Sequence, residues 1–160
     1  MAEAMSRTGA RLAELGIVLP DAPGRGDRFA WVNIRGDRAF VAGHGAGEPG
    51  EALGPFGKVG GEVPFETARG LARSATVSIL ASLSGALGDL DRVTGWARVF
   101  GMVNAAPGFD RPHEVIDGAS ELILEVFGAE VGRHARTAIC VAGLPFSMAV
   151  EIEAEVLIRG

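Results

Sequence analysis

Tyrosine is absent from this chain, and cysteine occurs once among 160 residues. A single cysteine cannot build a disulfide framework, which excludes the small disulfide-stapled class and fits a reducing, cytoplasmic setting. Positive charge is also scarce: 15 Lys and Arg face 20 Asp and Glu, a net charge of −5. A broad nucleic-acid footprint needs a basic excess, so the balance favours small molecules over RNA or DNA as partners. No apolar run approaches the roughly 18–20 residues of a spanning helix, so no membrane segment is expected. Residues Met1 to Arg11 carry Glu3, Arg7 and Arg11 with no apolar stretch behind them, which is not a secretory signal.

Apolar residues make up 48% of the chain, enough for one domain (1–160) with a substantial core. Residues 1–24 read as an N-terminal arm: an amphipathic turn with Leu12, Leu15 and Ile17, then an extended Leu19-Pro20-Asp21-Ala22-Pro23. Phe29 to Ile34 predicts a strand, Arg35-Gly36-Asp37-Arg38 a turn, and Ala39 to Gly43 a second strand. Residues 44–61 hold seven glycines and read as a connection. Gly45-Ala46-Gly47-Glu48-Pro49-Gly50 matches G-x-G-x-x-G in letters only, because a dinucleotide site needs a helix to open there and Pro49, Gly50 and Gly54 forbid one. Gly57-Lys58 fails the phosphate-loop pattern, with Ala52 in place of its first glycine and Val59 in place of Ser or Thr.

From Pro64 the period changes to that of a helix, with Ala68, Leu71, Ala72, Ala75, Ile79, Leu83 and Leu87 on one stripe and Gly88 as the stop. A strand is expected over Val93 to Val103. A second helix follows, capped by Asp110, with Pro112 in its first turn, a stripe from Val115 to Phe127, and Gly128 as its end. Strands at 135–142 and 148–158 complete a β-β-α-β-α-β-β order. Two amphipathic helices then cover one face of a mixed α+β sheet, and the open face predicts an oligomer.

Arg136 opens the penultimate strand, and Glu151, Glu153 and Glu155 alternate along the last. A guanidinium held on a strand is a rigid fork for a carboxylate, and a glutamate on an adjoining strand could manage a proton or a water. On residue type alone Arg136 reads more readily as a surface or interface ion pair than as a ligand site, and Glu151 as a solvated strand position. Cys140 reads as a buried small apolar residue. His44, His113 and His134 lack metal spacing, so no metal is expected, and Trp31 and Trp96 read as packing residues.

Several motifs together resemble the YjgF or Rid family of reactive intermediate deaminases, in a longer branch near 150 residues. They run from Arg11-Leu12-Ala13-Glu14-Leu15-Gly16-Ile17-Val18-Leu19-Pro20 through Gly57-Lys58-Val59-Gly60 and Leu87-Gly88-Asp89-Leu90-Asp91-Arg92-Val93. Phe100-Gly101-Met102-Val103-Asn104, Gly118-Ala119-Ser120-Glu121-Leu122, Val126-Phe127-Gly128 and His134-Ala135-Arg136-Thr137-Ala138 continue the series.

The resemblance implies a chorismate-mutase-like fold, a homotrimer with three inter-subunit clefts, and hydrolysis of imines such as 2-iminopropanoate to 2-keto acids and ammonia without cofactor or metal. It assigns Arg136 to the substrate carboxylate and Glu151 to the attacking water. Gly43 and the backbone of Ala138 would line the cleft. Phe29 stands where the family usually has tyrosine, Asp117 where it tends to have asparagine, and His44 where glutamine is common. Asp117, if it faces the cleft, could pair with Arg136 and compete with substrate. The reading requires that Arg136 not be locked in an internal ion pair. A non-catalytic carboxylate-binding or chaperone-like trimer, and an endoribonuclease or translation inhibitor, are the alternatives; the acidic balance opposes the second.

Overall fold

A computed structural model describes residues 6–24, 26–47 and 53–160. Helix α1 (Arg7–Glu14) is followed by β1 (Val32–Arg35), β2 (Arg38–His44), α2 (Phe65–Leu87), β3 (Val93–Asn104), α3 (Pro112–Gly132), β4 (Ala135–Val141) and β5 (Val150–Ile158). The five strands form one sheet in the order β1-β2-β5-β3-β4. Only β3 and β4 are parallel; the other neighbours run antiparallel.

Alternation along β5 sets the two faces. Val150, Ile152, Ala154, Val156 and Ile158 are buried, joined by Ala39 and Val41 of β2 and Val99 and Val103 of β3. Helices α2 and α3 pack on that side, whereas Glu151, Glu153 and Glu155 lie on the other. The uncovered face also presents Phe40, Phe100, Met102 and Ile139, as the cross-strand rows of β2, β3 and β4 require.

Helix α2 follows the expected stripe and stops where Gly88 turns to a φ of 78° and donates its N–H to the Ser84 carbonyl. It is, against expectation, long and apolar enough to cross a membrane by length and composition. More than half of that stretch is buried, because α3 covers its second flank in addition to the sheet. Helix α3 departs from expectation at its N-terminus. Its N-cap is Arg111, with no side-chain cap, so Asp110 does not serve there. Gly128 (φ 74°, ψ 172°) breaks the helix where it was expected to end, and a separate helical turn follows to Gly132.

The first strand starts three residues later than expected. Pairing reaches only to the Trp31 carbonyl, which accepts from the Ala42 N–H at 2.9 Å, and Phe29 lies before it, outside the ladder. The arm contains a docked helix, with Leu12 buried and Asp91 capping the amides of Arg7 and Thr8, both at 2.9 Å. Burial pushes the Asp91 carboxyl up, but the Thr8 hydroxyl, which also donates to it, and these two amides outweigh that and hold it below the usual range. The Gly45–Gly50 stretch falls partly outside the described residues.

Candidate active site

The C-terminal end of β2, the start of β5 and the turn at Pro145–Ser147 surround a pocket of about 510 Å³. Its polar member is Glu151, and its walls are Phe29, Trp31, Phe146, Met148, Gly43 and Gly45. Phe29 and Trp31 meet edge to face, with ring centroids 5.0 Å apart, and Trp31 meets His44 at the same separation. Across the pocket, Phe146 and Ser147 hold φ values of 56° and 57°. Two successive non-glycine residues in the left-handed region store strain, which concentrates at functional turns. The turn is pinned by the Gly57 N–H, which donates to the Ser147 carbonyl at 2.8 Å.

Gly43 and Glu151 are matched to one another. A Cβ on Gly43 would lie 2.1 Å from Glu151 Oε1, so only the missing side chain lets the carboxyl rest over the strand. Burial first, and the neighbouring charge of Glu153 second, raise the Glu151 carboxyl above its ordinary value. A carboxyl shifted this way can exchange protons closer to neutrality than a solvated one.

His44 anchors the end of β2 from below. It is buried, with Nδ1 2.6 Å from the Ala42 carbonyl and Nε2 2.7 Å from Ser82 Oγ. A carbonyl only accepts, so Nδ1 carries the proton and Nε2 receives the serine hydroxyl. Desolvation lowers the His44 pKa, which keeps the ring neutral.

A second cluster sits on β4 and α3. Arg136 Nη1 donates to Asp117 Oδ1 at 2.8 Å and to Ser120 Oγ at 3.0 Å. Ser120 Oγ lies 2.9 Å from His134 Nε2, and His134 Nδ1 is 2.7 Å from the Gly132 carbonyl. By the carbonyl argument used for His44, His134 Nδ1–H donates outward and Ser120 donates to Nε2. The pair with Asp117 is real but open: Arg136 is 23% exposed and Asp117 41%. Among the described residues, no partner engages Arg136 Nε or Nη2, or Asp117 Oδ2.

Of the sequence candidates, the fold brings Phe29, Gly43 and Glu151 together in the pocket. It sets Arg136 and Asp117 together elsewhere, with Ala138 two residues along the same strand face. It does not join the two groups within one chain. Strand β3 lies between β4 and β5, so Arg136 and Glu151 are not on adjoining strands as expected. They also point to opposite faces. Arg136 shares a cross-strand row with Val99 and Ala154 of the core, Glu151 one with Met102 and Ile139 of the uncovered face. Cys140, expected inside, is exposed because β4 is an edge strand paired on one side only.

Ser120, His134, Trp31 and Phe146 were not among the candidates. The hydroxyl and the ring nitrogen carry no motif, and an aromatic in a left-handed turn has no sequence signal where glycine is the usual occupant. Among the described residues no three His, Cys, Asp or Glu side chains cluster as metal ligands.

Known proteins share this architecture over almost its full length. A family model described as "YjgF/chorismate mutase-like, putative endoribonuclease" matches residues 9–153. Protein TCP17 of Trypanosoma cruzi is 38% identical over 153 residues, covering 94% of each chain. The crystal structure of Atu1372 from Agrobacterium tumefaciens, a protein of unknown function, superposes with a TM-score of 0.86 at 38% identity, over 96% of this chain and 93% of that one. A "putative endoribonuclease" from Shewanella oneidensis gives 0.87 at 26%, over 94% and 99%. The YjgF product of E. coli, at 20% identity and a TM-score of 0.57 over 87% and 94%, shares the fold. With the five-stranded sheet, its two covering helices and a match spanning nearly every described element, this chain belongs to the YjgF/chorismate mutase-like family.

Proposed function

We propose that this protein hydrolyses reactive 2-imino and enamino acids, such as 2-iminopropanoate, to 2-keto acids and ammonia, in clefts formed between the subunits of a homotrimer. What supports the reading is that one chain presents both a proton-handling carboxyl, Glu151 in its aromatic pocket, and, separately, a guanidinium that keeps free donors at the sheet edge. Because the two lie on opposite faces, a site that uses both needs two copies of the chain.

In the reaction, Arg136 would receive the substrate carboxylate on Nε and Nη2 and so place the C=N carbon. Glu151 would take a proton from a water as its oxygen bonds to that carbon. The nitrogen, gaining protons from the water and from solvent, leaves as ammonia when the C–N bond of the tetrahedral adduct breaks. An enamine is first protonated on carbon, and the Glu151 carboxyl in its protonated form is suited to that step.

The test is keto-acid release from freshly generated 2-iminopropanoate, with Arg136→Ala compared against wild type. Loss of the enhancement with an unchanged melting temperature is expected; unchanged turnover removes Arg136 from the site. The unengaged Nε and Nη2 of Arg136 also fit one other reading, a carboxylate-binding trimer without turnover, which would appear as saturable 2-oxobutanoate binding and no acceleration. RNA cleavage is disfavoured by the net charge of −5 and the row of three glutamates on the open face.

A further inference from the structure

Arg136 spends one nitrogen on the protein and keeps two. Nη1 serves Asp117 and Ser120, while Nε and Nη2 remain for a ligand. Any carboxylate docked on those donors comes to rest beside Asp117, whose Oδ2 is also unengaged among the described residues. Two carboxylates sharing one guanidinium repel each other, and this repulsion offsets part of the attraction that the guanidinium supplies. Arg69 also senses the Asp117 charge, but its guanidinium is paired first with Glu121, so it offsets that charge only in part. A simple anion is therefore a poor guest.

A ligand that places a cationic nitrogen next to its carboxylate meets both partners, the anion on Arg136 and the N–H on Asp117 Oδ2. Resting on the function proposed above, we infer that Asp117 and Arg136 form a charge-paired receptor selective for the protonated 2-iminium form of the substrate, and that Asp117 disfavours the keto-acid product. The balance of the reaction makes this useful. R–C(=NH2+)–COO− and one water become R–CO–COO− and NH4+, so the positive charge departs with the nitrogen. The product keeps only the anion, which Asp117 repels, and the difference between substrate and product is read by one side chain. Ser120 and His134 support the arrangement by holding Nη1 in place, leaving the other face of the guanidinium open.

The experiment compares binding of two non-reacting probes by isothermal titration. One is 2-oxobutanoate, an anion; the other is 2-aminobutanoate, which carries an ammonium beside its carboxylate. Wild type is expected to prefer the amino acid, and Asp117→Asn to bind 2-oxobutanoate about tenfold more tightly and the amino acid about tenfold more weakly. Turnover by Asp117→Asn should also become more sensitive to inhibition by 2-oxobutanoate. An Asp117→Asn protein with wild-type affinities for both probes overturns the proposal. The two readings fail separately: if Arg136→Ala abolishes imine turnover while Asp117→Asn changes no preference, the deaminase stands and the receptor falls. If wild type prefers the amino acid and Asp117→Asn reverses this, yet no imine is hydrolysed, the receptor stands and the deaminase falls.

Discussion

Replacing Gly43 with alanine tests whether the Glu151 carboxyl works from the place it occupies. The backbone accepts the change, because Gly43 holds no left-handed φ. The added Cβ would sit 2.1 Å from Glu151 Oε1 and 2.9 Å from its Cδ, while ordinary contact begins at 3.4 Å. The carboxyl must then retreat by more than about 1 Å, which a glutamate achieves by rotating its own torsions at little expense to the fold. Stability should change by about 1 kcal/mol or less, a melting shift within about 4 °C for a domain of this size. Activity should suffer far more, since a displacement near 1 Å in a catalytic group costs on the order of 10²-fold. That corresponds to about 2.7 kcal/mol of transition-state stabilisation.

The assay is kcat/KM for 2-iminopropanoate hydrolysis by coupled keto-acid detection, with a thermal melt on the same sample. A double-mutant cycle isolates the cause. If the methyl acts only by displacing Glu151, then adding Gly43→Ala to Glu151→Gln should cost almost nothing further, a strongly non-additive pair. Full additivity, or an active Gly43→Ala enzyme, refutes the reasoning.

Three further predictions concern pH dependence and assembly. Glu151→Gln should lose activity yet melt higher at pH 7: a raised folded pKa means that the unfolded chain ionises first, so stability falls as pH rises through the ordinary value of 4.5 toward the folded one. The gain should vanish below about pH 4, and a constant difference across pH would count against the assignment. His44 has the opposite sign, its folded pKa lying below 6.5, so wild-type stability should fall as pH drops through that value while His44→Gln loses the dependence, as read by urea midpoints at pH 5 and 7. Light scattering at micromolar concentration should give about three times the 16.5 kDa chain mass, and a monomer would remove the shared cleft.

Most of the fold was legible because its signals are local. The 3.6-residue stripe of α2, the Gly88 stop and the two-residue alternation of β5 are each written within a dozen or so residues. Alternation alone places Glu151 on the face away from Val150 and Ile152. The order of strands is a different kind of fact. Whether β4 adjoins β5 or is separated from it depends on which edges pair over long separations, and no pattern inside Ala135–Val141 encodes that. The exposure of Cys140 follows from the same unwritten choice.

The site divides along the same line. Arg136 and Glu151 stand out because a guanidinium and a carboxylate on strands carry chemistry whatever surrounds them, but their companions acquire meaning only in three dimensions. Asp117 lies 19 residues before Arg136, and whether they touch is decided by how one turn of α3 meets an edge strand. Ser120, one turn further along the helix, is brought to the same nitrogen by the same packing. Gly43 gave no reason of its own until the Glu151 oxygen was found in the space where its side chain would be. The separation of the two groups onto opposite faces has a consequence that neither has alone: a reaction using both must bring one copy's Glu151 to another copy's Arg136, so the proposed chemistry requires an oligomer.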